Sequence, residues 1–384
     1  MGTIMASYCI FSALYLPHMG GVERFTDSLA RELSSMGHSV SIVTSKIDDS
    51  PAFEAVDENI MIYRLDSLSL MDGRLPIYHP SMRNHNVLSS LAQDHFDGVL
   101  INTRFYPLSL VGLEFARKCE VPAVVLDHGS AYLTFGNRFL DMFEHMYEHA
   151  ITFVEKLFHP DFYGISERSC EWLRTFGISA KGVIPNAINA EAFRGQASDR
   201  DFRRELGINQ DALMLVFTGR LIPEKGIYVL LDVMYRLIDY DIQLVIAGDG
   251  PLRSAVECCG LANVHLVGKV DLPDIAALLF QGDLFVLPSR SEGFCTSLLE
   301  AYACGLPFLS SDVGGARDVI DCHGCGRVLN CAEDDIVRCF TDEIIRINSD
   351  RPMVVEPARK ERKGSPSSLS WARSARLLLD ALKR

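Results

Sequence analysis

From Asp283 to Ile320 the chain reads DLFVLPSRSEGFCTSLLEAYACGLPFLSSDVGGARDVI. The apolar run Leu284 to Leu287 looks like a buried strand. Pro288, Ser289 and Ser291 break it, and Gly293, which has no Cβ, permits a tight turn. A helix is predicted from about Thr296 to Ala303, with Gly305 as its C-terminal stop and Pro307 just beyond. Phe308 to Ser311 then starts another strand. Strand, turn, helix, strand is the local signature of a parallel α/β sheet.

Two carboxylates frame that turn. Glu292 lies in the loop and Glu300 on the helix, eight residues later. The loop places Glu292 over the carboxyl edge of the sheet, where open α/β sheets bind ligands. The helix N-terminus beside it, near Thr296 and Ser297, offers N–H groups and a positive dipole end to an anion. A carboxylate next to an anion site suits a ligand that carries both phosphate and hydroxyls, such as a nucleotide sugar.

SEGFCTSLLEAYACGLP resembles the E-x7-E motif of the retaining glycosyltransferases of family 4, which have the GT-B fold. The flanks, F-V-L-P-S before and E-A-x-A-x-G-x-P after, make the likeness specific; without them a solvated loop Glu and a helix-surface Glu would be the reading. The resemblance implies that Glu292 contacts the donor sugar and Glu300 the nucleotide ribose. A second match is Thr218-Gly219-Arg220-Leu221-Ile222-Pro223-Glu224-Lys225-Gly226, similar to the family's G-R-L-x-x-x-K-G loop. Arg220 and Lys225, five residues apart on a loop, can close on one diphosphate, Arg as a planar fork of donors and Lys as a point charge. A P-loop is excluded, because G-x-x-x-x-G-K-[S/T] is missing.

The likeness runs from the first strand to the last helix. Gly20-Gly21, just before the first helix, matches a loop that lies against the donor diphosphate in the family. Paired glycines there let a phosphate approach backbone amides, although the dinucleotide fingerprint G-x-G-x-x-G is absent. Asp127-His128-Gly129 stands at a strand end and matches an HG signature whose His reaches the sugar or acceptor near the reacting carbon. Gly182 to Ile188 resembles the family's IPNGV segment, with Ala187 in place of Gly. Gly248-Asp249-Gly250-Pro251 matches a GDGP turn shaped to pass the ligand, and Lys269 to Leu272, with Val270, lies where the base packs. The implied catalytic residues are His128, Glu292, Arg220 and Lys225. The implied donor site comprises Gly20, Gly21, Gly219, Arg220, Lys225, Gly248, Val270, Glu292, Gly293, Phe294, Thr296, Leu299 and Glu300.

A chain of 384 residues, 48% hydrophobic and 23% charged, has room for two domains of globular composition. Its net charge of −13 argues against nucleic-acid binding. Nine Lys/Arg against three Asp/Glu from Arg351 to Arg384 make a basic tail that could meet an anionic membrane or simply be a solvated helix. The eleven cysteines lack framework spacing and sit at apolar positions such as Cys9, Cys170 and Cys304, as reduced thiols do. Cys322-His323-Gly324-Cys325 has no second ligand pair for zinc. There is no apolar run of eighteen residues, and Met1 to Gly21 lacks a basic start and is interrupted by Pro17. The expected location is the cytoplasm, with peripheral contact at the inner membrane face.

The expected fold is therefore α/β: two Rossmann-like doubly wound domains facing across a cleft, as GT-B implies. The expected spans are 1–190 for the acceptor side and 191–365 for the nucleotide-sugar side, with 366–384 as a helix returning to the first domain. Gly195 to Arg204 reads as the linker, and Arg359 to Ser368 as an exposed connector. Asp48 to Arg83 reads as irregular and acceptor-facing, with Arg74, Tyr78, His79 and Arg83 as lining candidates.

Breaking a sugar–diphosphate bond leaves charge on the departing phosphates, which Arg220, Lys225, the Gly20-Gly21 amides and a helix N-terminus can stabilise. No metal-binding Asp-x-Asp stands at a strand end, so neither an obligatory metal nor a cofactor is expected. The expected activity is retaining transfer from a nucleotide sugar, by default a UDP-sugar, to a hydroxyl of a sugar or lipid-linked acceptor in cell-surface polysaccharide or lipopolysaccharide synthesis. The alternatives are a transferase making a soluble glycoside, a GT-B sugar-nucleotide epimerase, which would not need Arg220/Lys225 and E-x7-E in this form, and an inactive binding protein.

Overall fold

The computed structural model describes residues 5–383 except 19, 48, 71–74, 133–137, 322–325, 352–354 and 356–368. The Cys322–Cys325 pair, Arg74 and the connector from Arg359 to Ser368 lie outside the described residues. The chain forms two compact units, Met1–Asn186 with Trp371–Arg384, and Ala187–Ser370.

In the first unit, β1 (Ser7–Ser12), α1 (Gly21–Ser35) and β2 (Ser39–Lys46) form the opening β-loop-α-β. They are followed by β3 (Phe53–Ala55), β4 (Ile60–Leu70), β5 (Leu75–Tyr78), α2 (Met82–Leu91), β6 (Gly98–Asn102) and α3 (Pro107–Cys119). The unit continues with β7 (Ala123–Asp127), α4 (Arg138–Lys156), β8 (Asp161–Gly164) and α5 (Glu167–Leu173). The sheet runs β3-β4-β2-β1-β6-β7-β8, with β5 paired to β4. It is parallel except at its edge, where β3 and β5 run antiparallel to β4. The central strands are covered on both faces, so they are nearly all apolar. On α1 the stripe Phe25, Leu29 and Leu33 is buried on that sheet.

One expectation fails here. The segment Asp48 to Arg83, read as irregular, supplies three strands. β4 takes Ile60 and Ile62 inward and leaves Met61 outward, a period-two pattern. Arg64 obscured the alternation: it is buried but donates to the carbonyls of Pro51 and Leu16 at 3.0 Å each and pairs with Glu54 at 2.7 Å.

The second unit contains α6 (Ala190–Gly195), α7 (Phe202–Leu206), β9 (Leu213–Thr218), α8 (Ile227–Arg236), β10 (Ile242–Ala247), α9 (Arg253–Glu257) and β11 (Val264–Gly268). It continues with α10 (Leu272–Gln281), β12 (Leu284–Leu287), α11 (Thr296–Ala303), β13 (Phe308–Ser311), α12 (Ala316–Asp321), β14 (Gly326–Leu329) and α13 (Ile336–Ser349). Its sheet is wholly parallel in the order β11-β10-β9-β12-β13-β14. In chain order that is third, second, first, fourth, fifth, sixth. The direction of winding reverses between β9 and β12, and at such a reversal open α/β sheets bind their ligands.

The polar stretch Gly195 to Arg204 is not a linker; the chain passes from one unit to the other at Asn186/Ala187. Its charges tie down the second unit. Arg200 bonds Asp274 at 2.9 Å, and buried Arg203 reaches the fully buried Asp283 at 2.7 Å. Asp283 also accepts from the Met214 amide and from Arg351, at 2.9 and 2.6 Å.

The last helix, α14 (Trp371–Leu382), belongs to the first unit and packs on α1. The Trp371 ring meets Phe25 edge-on at 5.4 Å, and Ser374 Oγ donates to the Pro185 carbonyl at 2.7 Å.

Candidate active site

In the second unit the reversal point between β9 and β12 gathers the predicted residues. The loop after β9 carries Gly219, Arg220 and Lys225, and the loop after β12 carries Ser289 and Glu292. Lys225 Nζ donates to both carboxylate oxygens of Glu292, at 2.5 and 2.6 Å. Ser289 Oγ donates to Glu292 Oε1 at 2.8 Å. The Lys225 and Glu292 side chains are only 22% and 9% exposed, so this pair is largely out of water. Charge-assisted, two-pronged contacts of this kind are the strong ones.

Backbone contacts hold the loops together. The Arg290 amide donates to the Glu224 carbonyl at 2.8 Å, from one loop to the other. Gly226 has φ +73°, and a Cβ there would stand 2.1 Å from the Pro288 carbonyl oxygen. The glycine is therefore required by close approach as well as by conformation. The turn after β10 is seated in the same way: a Cβ on Gly248 would lie 1.8 Å from the Gly219 oxygen. The Gly248 amide donates to Gly268 at 2.8 Å, at the end of β11, just before the partly buried Val270.

Arg220 is exposed at the start of its loop. Thr296, exposed, and Glu300, half-buried, stand four apart on one face of α11. Phe294 and Leu299 point into the core, at 3% and 2% exposure, so of these two only the main chain can meet a ligand. Cys295 caps α11 in a left-handed conformation, φ 65°, without a side-chain cap bond. Burial pushes its thiol well above the usual range, which leaves it inert. Gly314, φ +50°, packs against the carbonyls of Glu292 and Gly293 and backs their turn.

In the first unit the winding reverses between β1 and β6. His128 follows β7, and its Nε2 lies 3.3 Å from Asn102 Oδ1 at the end of β6. Asn102 Nδ2 donates to Thr26 Oγ1 at 2.7 Å, and Thr26 donates to the Val22 carbonyl at 2.9 Å. Because Asn102 spends its NH2 on Thr26, its oxygen faces His128, and Nε2 carries the hydrogen. Burial lowers the His128 pKa to about 3, so the ring is neutral at every working pH. Phe25 packs edge-on against it at 4.9 Å.

Gly20 departs from expectation. Its amide donates to Glu23 Oε2 at 2.7 Å, the glutamate at the third helical position reaching back over the start of α1. A phosphate meets that amide only after Glu23 turns away; Gly21 is exposed.

Beneath His128 lies a charged cluster that the sequence reading did not find. Arg104 reaches Glu148 at 2.5 Å and Thr152 at 2.8 Å, with Asp127 at 3.5 Å, and stacks on the Phe176 ring at 3.6 Å. Glu155 is also fully buried there. One cation faces three carboxyls. Burial raises Asp127 to about 6 despite Arg104, and Glu155 well above the usual carboxylate range. Polar residues at interior helix positions were the available signal. Among the described residues no group of three or more His, Cys, Asp or Glu is arranged to hold a metal ion, and no helix is long and apolar enough to cross a membrane.

Two doubly wound α/β units, one with a cation–carboxylate pair bridging its reversal point, define a GT-B enzyme. Sequence comparison places the chain in a family. Residues 19–192 match the Glycosyltransferase Family 4 model and residues 212–350 match Glycosyl transferases group 1. The chain belongs to glycosyltransferase family 4. A glycosyltransferase of Methanocaldococcus jannaschii is 27% identical over 354 residues, covering 89% of this chain and 90% of its own. TuaC of Bacillus subtilis, named for teichuronic acid biosynthesis, is 28% identical over 282 residues, covering 72% and 69%. Sucrose-phosphate synthase from Thermosynechococcus elongatus superposes with a TM-score of 0.74 at 20% identity, over 98% of each chain. Anabaena HepE in complex with UDP-glucose gives 0.69 at 16%, over 98% and 99%. The protein is a glycosyltransferase with the GT-B fold.

Proposed function

We propose that this enzyme transfers a sugar from a nucleoside-diphosphate donor, with UDP-sugars first, to a hydroxyl of a saccharide or lipid-linked acceptor, with retention at the anomeric carbon. The observation that carries the reading is the Lys225–Glu292 pair, set at a reversal point and braced by Ser289. Glu292 alone would repel a diphosphate. Bonded to Lys225 it is neutralised, and the exposed Arg220 on the same loop adds a net positive charge. As the sugar–oxygen bond lengthens, Arg220 and Lys225 take up the charge on the leaving phosphates, with no reorganisation at the moment of reaction. Glu292 orients sugar hydroxyls, Glu300 the ribose, and the backbone near Val270 the base. Neutral His128 serves as a hydrogen-bonding group beside the reacting carbon rather than as an acid. These roles need no metal ion. The TuaC name supports an acceptor from cell-surface polysaccharide synthesis, and the HepE complex supports UDP-sugars.

The test is a thermal-shift panel of UDP, GDP, ADP and their sugars in the presence of EDTA, repeated with Lys225→Ala. A donor at a hundredfold over its Kd stabilises by about 2.7 kcal/mol. The reading expects one nucleotide series to raise the melting point, the Lys225→Ala variant to lose the response, and nucleoside diphosphate release to require acceptor. A panel with no response, or a response unchanged in Lys225→Ala, defeats it.

A further inference from the structure

Helix α4 is built inside out. The side chains it buries are Glu148, Ile151, Thr152 and Glu155, and Glu148 and Thr152 bind Arg104. Its outer face is apolar. Phe143, Met146, Phe153 and, in the turn just past the helix, Leu157 are each just over 60% exposed, and Ala150 between them is exposed as well. A solvated helix shows the opposite arrangement, with its polar groups outward.

The exposed positions 143, 146, 150, 153 and 157 step by three, four, three and four residues, the spacing of a helix–helix seam. Met142, Tyr147 and Val154 widen it, at 49%, 38% and 39% exposure. Together these side chains present on the order of 700 Å², close to the roughly 800 Å² that each partner contributes to a stable interface.

Seven of the eight positions are symmetric about Ala150, Met142 having no counterpart in the stripe. Phe143 and Leu157 stand seven residues either side of Ala150, Met146 and Val154 four, and Tyr147 and Phe153 three. Such a pattern is complementary to itself when reversed, which an isologous two-fold contact demands. An anionic bilayer is a poorer fit. Interfacial helices flank their apolar face with Lys and Arg, whereas α4 carries only Arg138 and Lys156, one at each end, in a chain of net charge −13.

We propose that α4 pairs antiparallel with α4 of a second copy, about a two-fold axis at Ala150. Phe143 meets Leu157 of the partner subunit, and Tyr147 meets the partner's Phe153. The small Ala150 faces its own copy where the helices come nearest. With axes about 8–10 Å apart and Cα atoms about 2.3 Å from each axis, the two Ala150 Cα atoms stand about 4–5 Å apart. That is within disulfide range.

The test uses the full chain, with light scattering and sedimentation over a micromolar concentration series. The wild type should show twice the 42.7 kDa chain mass. Ala150→Glu, which sets like charges face to face on an exposed position, should halve the mass with unchanged circular dichroism and remove the rise of melting point with protein concentration that the wild type shows. Ala150→Cys should form a diamide-dependent crosslinked dimer absent from the wild type, which controls for the native thiols. The proposal is overturned by a wild type that stays monomeric, by a dimer that Ala150→Glu leaves intact, by failure of Ala150→Cys to crosslink, or by a monomer that floats with phosphatidylglycerol vesicles through this helix.

Discussion

Replacing Asp127 by Asn should make the first unit gain stability relative to the wild type as pH rises. The Asp127 carboxyl is 1% exposed and raised from 3.8 to about 6, chiefly by burial, with Glu148 nearby adding to the rise. Below pH 4 it is protonated in both folded and unfolded chains and contributes no pH dependence. Between pH 4 and 6 the folded protein holds a proton that the unfolded chain has released, so stability falls as pH rises. The fall ends once the folded group has ionised, near pH 7. About two pH units correspond to roughly 3 kcal/mol. The amide side chain of the Asp127→Asn variant has no such titration, and its oxygen can still accept the Gly129 amide. The variant's stability minus the wild type's should therefore climb by about 3 kcal/mol between pH 4 and 7.5, whatever its value at acid pH. Removing the Asp127 charge also relieves Glu155, which changes the difference in the same direction. Both tryptophans, Trp172 and Trp371, lie in the first unit, so urea melts followed by tryptophan fluorescence report on that unit alone. A difference that stays flat across this range would refute the reasoning, because it would mean the carboxyl is solvated or already compensated.

Two further outcomes concern the second unit, which calorimetry can follow. Lys225→Ala leaves the Glu292 carboxylate with its strongest partner gone and should cost about 1–3 kcal/mol, most of it recovered in Lys225→Ala/Glu292→Gln; an unchanged melting point in the single variant would show the ion pair to be energetically idle. Gly248→Ala drives a methyl to 1.8 Å from the Gly219 oxygen and should cost more than about 3 kcal/mol. Gly195→Ala, in a helix with nothing within 4 Å of the new methyl, should be neutral or stabilising by about 0.5–1 kcal/mol, and equal effects at the two glycines would contradict the close-approach argument.

The second unit was legible from short-range chemistry. β12, α11 and β13 fall where apolar runs and breakers place them, because buried parallel strands and their turns are specified within a few residues. The family's motifs likewise marked the loops after β9 and β12. What the sequence determined by itself was therefore the strands that flank those loops and the charge the loops bear. Only the tertiary structure decided which loops face each other. Lys225 and Glu292 are 67 residues apart in the chain, and they meet because the strand order reverses between β9 and β12, a property of the assembled sheet. The same holds for Arg104, which reads as one more surface cation until α4 brings Glu148 over it, and for the segment Gly195 to Arg204, whose polarity meant ion pairs within the second unit rather than a linker. A charged side chain looks the same in a sequence whether it meets water or a partner across the fold, and burial alone distinguishes the two.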